Sequence, residues 1–214
     1  MKTALALVLL TACPAEQFGV ELPKGGVEAM SNEDLQRDVW GLSRGAMQDR
    51  RPGQPGHELG LQFISKRLQA MHTLPGFGSE MLQKFQGGAN LCTVQKGKGQ
   101  EHILIQTLDH GLGAFESASG IAALISLAKS FDVRERPAQS IVFCVVSGEA
   151  GQKELAANPV VPPESVRVTI DLGPMGQRLA ENEKSPGPNQ DLDFRILLEK
   201  VRQIRVQIDE ALNP

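Results

Sequence analysis

The 214-residue chain has no tyrosine and one tryptophan, and aromatic residues make up 4% of it. It therefore has no aromatic–basic pattern on which bases would stack. The net charge of −3 and a pI near 5.8 give no polycationic surface, which excludes nucleic acid as the expected partner. Cysteines are three and histidines four. No CxxC is present, and no Cys/His spacing fits a structural zinc site. The apolar run at the N-terminus, Thr3 to Leu10, is too short to cross a bilayer as a mature helix. Hydrophobic residues nevertheless make up 41% of the chain, enough for a packed core, so wholesale disorder is excluded.

The length suits one domain. Met1-Lys2 is a minimal positive start, and the apolar run ends in Leu10-Thr11-Ala12-Cys13. This resembles the bacterial lipoprotein box, in which a cysteine preceded by small residues is lipidated and becomes the new N-terminus. The resemblance implies a signal over 1–13, Cys13 as the lipidated residue, stable membrane anchoring through several acyl chains, and a periplasmic or cell-surface location. A tether follows over 14–30, rich in Pro, Gly and charge up to Gly26. The folded domain is expected over 31–180, a linker over 181–190, and a terminal helix over 191–214. Cys92 and Cys144 lie in the strand-like runs NLCTV and IVFCVV. They read first as buried free thiols, with a disulfide the alternative in an exporting compartment.

Ser31 with Asp34 three residues on predicts a helix start, and Leu35, Val39 and Leu42 give that helix an apolar face. A turn-rich loop, RRPGQPG from Arg50 to Gly56, leads to a second helix over His57 to Met71. Met81–Phe85 and Asn90–Gln95 read as a hairpin across Gly87-Gly88. His102–Gln106 is a strand, Ser119–Phe131 a helix, Ser140–Val146 the most apolar strand, Lys153–Ala157 a short helix and Val166–Leu172 a further strand. Strands alternating with helices predict an α/β fold with a mixed, mainly parallel central sheet in an α/β/α sandwich. In the tail, Phe194, Leu197, Val201, Ile204, Ile208 and Ala211 step by three and four. The stripe is short for a coiled coil, so it reads as a helix docked on its own sheet, with a partner helix as the alternative.

Three strand ends carry acids: Asp109, Glu149 and Asp171. On neighbouring parallel strands they would converge at the carboxyl edge of the sheet, where α/β proteins build sites, and Glu116 at the next helix start would join them. Clustered carboxylates repel, which favours a cation among them. The alternative is four unrelated acids that cap helices or face water.

The segments around these acids resemble the secreted co-catalytic zinc aminopeptidases, together with the related glutamate carboxypeptidases and glutaminyl cyclases. RRPGQPG is similar to a GRxxGTPG loop. Asn90-Leu91 matches the start of the strand before the site. LDHGLGAFESASGIAALISLA resembles HxDHxG…GAxDNASGxAxLLELA, RPAQSIVFCVVSGEAG resembles RPxRSIxFxxxSGEExG, and VTIDLGPMG resembles xxNxDMxG. The likeness runs in order over about Ser31 to Gly176.

In that family a carboxylate bridges two zinc ions, each also held by further acidic and histidine ligands. A glutamate acts as general base on metal-bound water. The resemblance implies Asp109 as the acid that orients a ligand, Glu116 as the bridging carboxylate, Glu149 as the base and Asp171 as a metal ligand. Thr107 stands where the first ligand histidine is expected, and Ala150 where the ligand glutamate is expected. The second ligand histidine lies well downstream of Asp171 in the family, whereas His57, His72, His102 and His110 all precede it. Zinc held by fewer than about three protein donors is held weakly. The expectation is a peptidase-like lipoprotein with little or no bound zinc that binds a peptide or protein partner without catalysis. The alternatives are an active zinc aminopeptidase with rearranged ligands and a structural envelope lipoprotein.

Overall fold

The computed structural model describes residues 25–113, 117–132, 136–176 and 192–212. Cys13 with its expected lipid, Glu116 and the 181–190 linker lie outside the described residues. β5 (Ser140–Ser147) is buried at every position, as its unbroken apolar sequence demands of a strand covered on both faces. It lies inside a six-stranded sheet of order β1-β3-β5-β4-β6 (β2 pairs with β3). β4 (His102–Asp109) runs parallel to β5 on one side and to β6 (Val166–Leu172) on the other. β3 (Gly88–Gln95) runs antiparallel to β5, to β1 (Leu74–Pro75) and to β2 (Leu82–Phe85). The result is a mixed α/β sheet with a parallel block at its working end.

Alternation along β4 separates the two faces. Ile103, Ile105, Thr107 and Asp109 are buried, while Leu104, Gln106 and Leu108 are half-buried. The buried face is covered by α3 (Ser119–Ser130), with α1 (Asn32–Leu42), α2 (Pro55–Gln69) and α5 (Phe194–Leu212) around it. The opposite face carries α4 (Gly148–Ala157), whose Leu155 joins Val160 and Val161 over Val142, Val146, Leu104 and Leu108. α4 is longer than the expected Lys153–Ala157 because GEAGQ, which reads as loop, is drawn into its first turn by Asn90. The folded part also begins earlier than residue 31. Val27–Ala29 forms a 3-10 turn, Ala29 and Met30 are buried, and the Gly26 N–H donates to the Ser130 carbonyl at 2.7 Å. The apolar residues Ala29 and Met30, which follow Gly25-Gly26, are what dock this segment. Ser31 caps α1 as its sequence predicts, its Oγ accepting from the Asp34 N–H at 3.2 Å.

α5 packs on α3 and α1. Its buried positions are Leu197, Val201, Arg205, Ile208 and Leu212, with Phe194, Ile204 and Ala211 packed at the margin. Arg205 is the residue that the apolar stripe misses. Its guanidinium sits 3.7 Å from the Phe131 ring centroid and its Nε donates to Ser130 Oγ at 2.9 Å, so its stem packs while its charge is satisfied. Among the described residues no helix is long and apolar enough to cross a membrane.

Cys92 and Cys144 are direct cross-strand partners of β3 and β5, 4.2 Å apart at Cα, and form a disulfide. The first reading as free thiols is thereby replaced by its alternative. Sequence could not choose, because pairing depends on the register between strands separated by 52 residues.

Two measurements follow from this packing. In denaturant titrations Leu197→Ala is expected to lower stability by about 2–5 kcal/mol, whereas Val206→Ala, at a half-exposed position on the same helix, changes it by less than about 0.5 kcal/mol. Equal small effects would mean that α5 does not dock on its own domain. Replacing both cysteines by alanine removes a constraint on a loop of 52 residues and is expected to cost about 2–4 kcal/mol, with thiol reductant reproducing the loss in the unaltered protein.

Candidate functional site

The carboxyl end of β4 meets the loop that precedes α2, and one buried ion pair joins them. Arg50 is 1% exposed and Asp109 5%. The Arg50 Nε donates to Asp109 Oδ2 and Nη2 to Oδ1, both at 3.2 Å, a two-point contact. Oδ1 also accepts from the Gly111 N–H at 2.8 Å and from Ser117 Oγ. Nη1 of Arg50 donates to the carbonyls of Leu42 and Met47, and Nη2 also donates to Ser117 Oγ at 3.1 Å. All five N–H groups of the guanidinium and both carboxylate oxygens thus have protein partners. Gly111 is required here: its φ is +83°, and a Cβ would lie 2.4 Å from the Arg51 nitrogen.

The same loop is fixed from its other side by His57. Its Nδ1 lies 3.0 Å from the Arg50 carbonyl, and its Nε2 accepts from the Ala89 N–H at 3.1 Å. That pairing sets the tautomer with the proton on Nδ1. Next along β3, Asn90 is fully buried. Its amide donates to Gln83 Oε1 and to the Gly151 carbonyl, and its oxygen accepts from the Ser147 N–H at 2.9 Å. A Cβ at Gly151 would stand 2.2 Å from that oxygen. Asn90 therefore clamps the SGEAG turn, from which α4 starts, onto β3. Arg50, His57 and Asn90 organise the strand ends. Only their local motifs, not these contacts, were visible in the sequence.

The four acids expected to meet are distributed differently. Asp109 is held by Arg50. Glu149 is exposed in the first turn of α4. Asp171 is exposed on β6, where it is the register partner of Gln106 and accepts from the Gln106 side chain. Gln106 and Asp171 thus share the α4 face of the sheet, while Thr107 and Asp109 lie on the α3 face. Glu116 is outside the described residues. Thr107, 3% exposed, donates its hydroxyl to the Leu172 carbonyl at 2.7 Å, and Ala150 has no donor atom in its side chain. Asp109 has no imidazole beside it to orient, because position 107 is threonine and the nearest buried histidine, His57, is committed to backbone groups.

Tetrahedral zinc needs about three convergent protein donors and an open position. The described residues contain no group of three or more His, Cys, Asp or Glu able to hold a metal ion, and the acids of β4 and β6 face opposite ways. The described residues do not fit a zinc centre. The Arg50–Asp109 pair instead makes a structural prediction. Arg50→Met leaves a buried carboxylate without its cation and is expected to lower stability by about 3–5 kcal/mol. Arg50→Met combined with Asp109→Asn is expected to lose less than the sum of the single changes, as a double-mutant cycle of denaturation free energies measures directly.

No family model matches the chain, and no curated protein sequence does. Solved structures do. A leucine aminopeptidase precursor from Bacteroides thetaiotaomicron superposes with a TM-score of 0.54 at 17% identity, covering 72% of this chain and 65% of that one. A zinc-dependent exopeptidase from Parabacteroides distasonis gives 0.55 at 16%, covering 70% and 63%. A glutaminyl cyclase from Bacteroides thetaiotaomicron gives 0.53 at 14%, covering 82% of each chain. The chain thus spans just under two thirds of the length of the first two. It has the fold shared by zinc-dependent exopeptidases of the aminopeptidase type and glutaminyl cyclases.

Proposed function

We propose that this chain is an aminopeptidase-like domain that does not hydrolyse peptides through bound zinc and acts as a binding module for a peptide or protein partner, held by a lipidated Cys13 on the outer side of a membrane. The observation that carries this reading is the state of Asp109. Both of its oxygens are taken by Arg50, with Ser117 and Gly111 added. Thr107 bonds to a carbonyl and Ala150 offers nothing, so the positions at which the resemblance expects ligands do structural work or none. Glu149 would then lack the metal-bound water that a general base of this kind acts upon. The Cys92–Cys144 disulfide supports an oxidising compartment, in keeping with the lipoprotein-like start. The fold is retained because Arg50, His57 and Asn90 bind the strand ends together without metal.

The test is metal content and turnover on the purified full chain. Elemental analysis after exposure to zinc and extensive dialysis is expected to find well under one zinc per chain, with no release of nitroaniline from aminoacyl nitroanilides above the uncatalysed rate. One or two retained zinc ions accompanied by turnover would overturn the proposal.

A further inference from the structure

The half-covered α4 face of the sheet holds a pocket of about 470 Å³, inside the range of roughly 300–1,000 Å³ common for small-molecule sites. It lies on the opposite side of the sheet from the Arg50–Asp109 pair. Its floor is Leu104, Val142, Cys144 and Val146, and its wall is Leu155 and Val161. The lining is mostly aliphatic, without an aromatic ring; Gln106, Thr107, Gln152 and Thr169 are its neutral polar residues and Asp171 its one charged group. Asp171 is exposed at the β6 side, and the Gln106 amide donates to its Oδ1, which holds the carboxylate in place beside the apolar wall. A neutral ligand would leave that carboxylate without a cationic partner, and an anionic ligand would be repelled by it. A cation with an aliphatic body satisfies both parts of the site: the chain displaces water from Leu104, Leu155 and Val161, and the head meets Asp171.

We infer that this pocket is a binding site for a small aliphatic amine, its ammonium paired with Asp171 and its hydrocarbon chain laid across β4 and β5 against α4. The site goes beyond the proposed loss of zinc chemistry and rests on it in one respect, since Asp171, the implied metal ligand, must be free to meet the ammonium.

The experiment uses three probes of equal length, n-octylamine, 1-octanol and octanoate, titrated into the full chain while the methyl resonances of Leu104, Leu155 and Val161 are followed by NMR. Octylamine is expected to shift these methyls saturably and to bind about tenfold more tightly than octanol, with octanoate weakest. Asp171→Asn, an exposed change whose folding is checked by circular dichroism, is expected to abolish the preference for the amine while leaving octanol binding in place. The inference is overturned if none of the probes shifts these methyls, if octanoate binds as well as the amine, or if the amine preference survives Asp171→Asn. Zinc content measured on the same sample separates the two readings: absence of the amine preference in the unaltered, zinc-free chain overturns this inference alone, whereas retained zinc overturns the proposed function.

Discussion

The ion pair between Arg50 and Asp109 is the interaction on which the arrangement of the strand ends depends. Two charges placed in the interior cost several kcal/mol each unless they are paired and fully hydrogen-bonded, and here they are. The arginine reaches the end of α1 through the Leu42 carbonyl and the turn after it through Met47. The aspartate reaches the loop after β4 through Gly111 and the start of α3 through Ser117. One pair therefore ties two stretches that are distant in sequence, Leu42 and Met47 on one side and Gly111 and Ser117 on the other. The guanidinium is the centre around which these stretches meet.

Carboxylates gathered at strand ends repel one another unless a cationic or hydrogen-bonding partner offsets their charge. Here the carboxylate at 109 is neutralised internally, and the one at 171 is turned to the other face, where Gln106 and solvent receive it. His57 and Asn90 complete the frame with bonds to backbone groups, which need particular side-chain shapes but no ion. The face bearing α4 is built differently. It has one helix, a cross-strand disulfide beneath it and an apolar pocket beside a single acid, a surface suited to a ligand rather than to further internal packing.

Much of the fold was legible in the sequence because burial writes itself as periodicity. β5 shows as an unbroken apolar run, β4 and β6 as strand-like segments, and α1 as a capped amphipathic helix. What stayed hidden depends on register and distance. The disulfide needs Cys92 opposite Cys144. The separation of Asp109 from Asp171 needs the pairing of Gln106 with Asp171, since a shift of one residue moves a side chain to the other face. Arg50 is visible as part of a loop motif, but its burial is not, because arginine in a Pro- and Gly-rich stretch reads as surface. Arg205 is hidden for the same reason, since its charge breaks an apolar stripe in which it is nonetheless a core residue.

The central claim is that Asp109 is bound to Arg50 in the native state and is unavailable to a metal. Denaturant unfolding of the full chain with and without excess zinc tests it most directly, since any ion that binds only the folded state raises stability with its concentration. The account predicts an unfolding midpoint unchanged by zinc. A midpoint that rises with zinc concentration, and loses that dependence in Asp109→Asn, would contradict it.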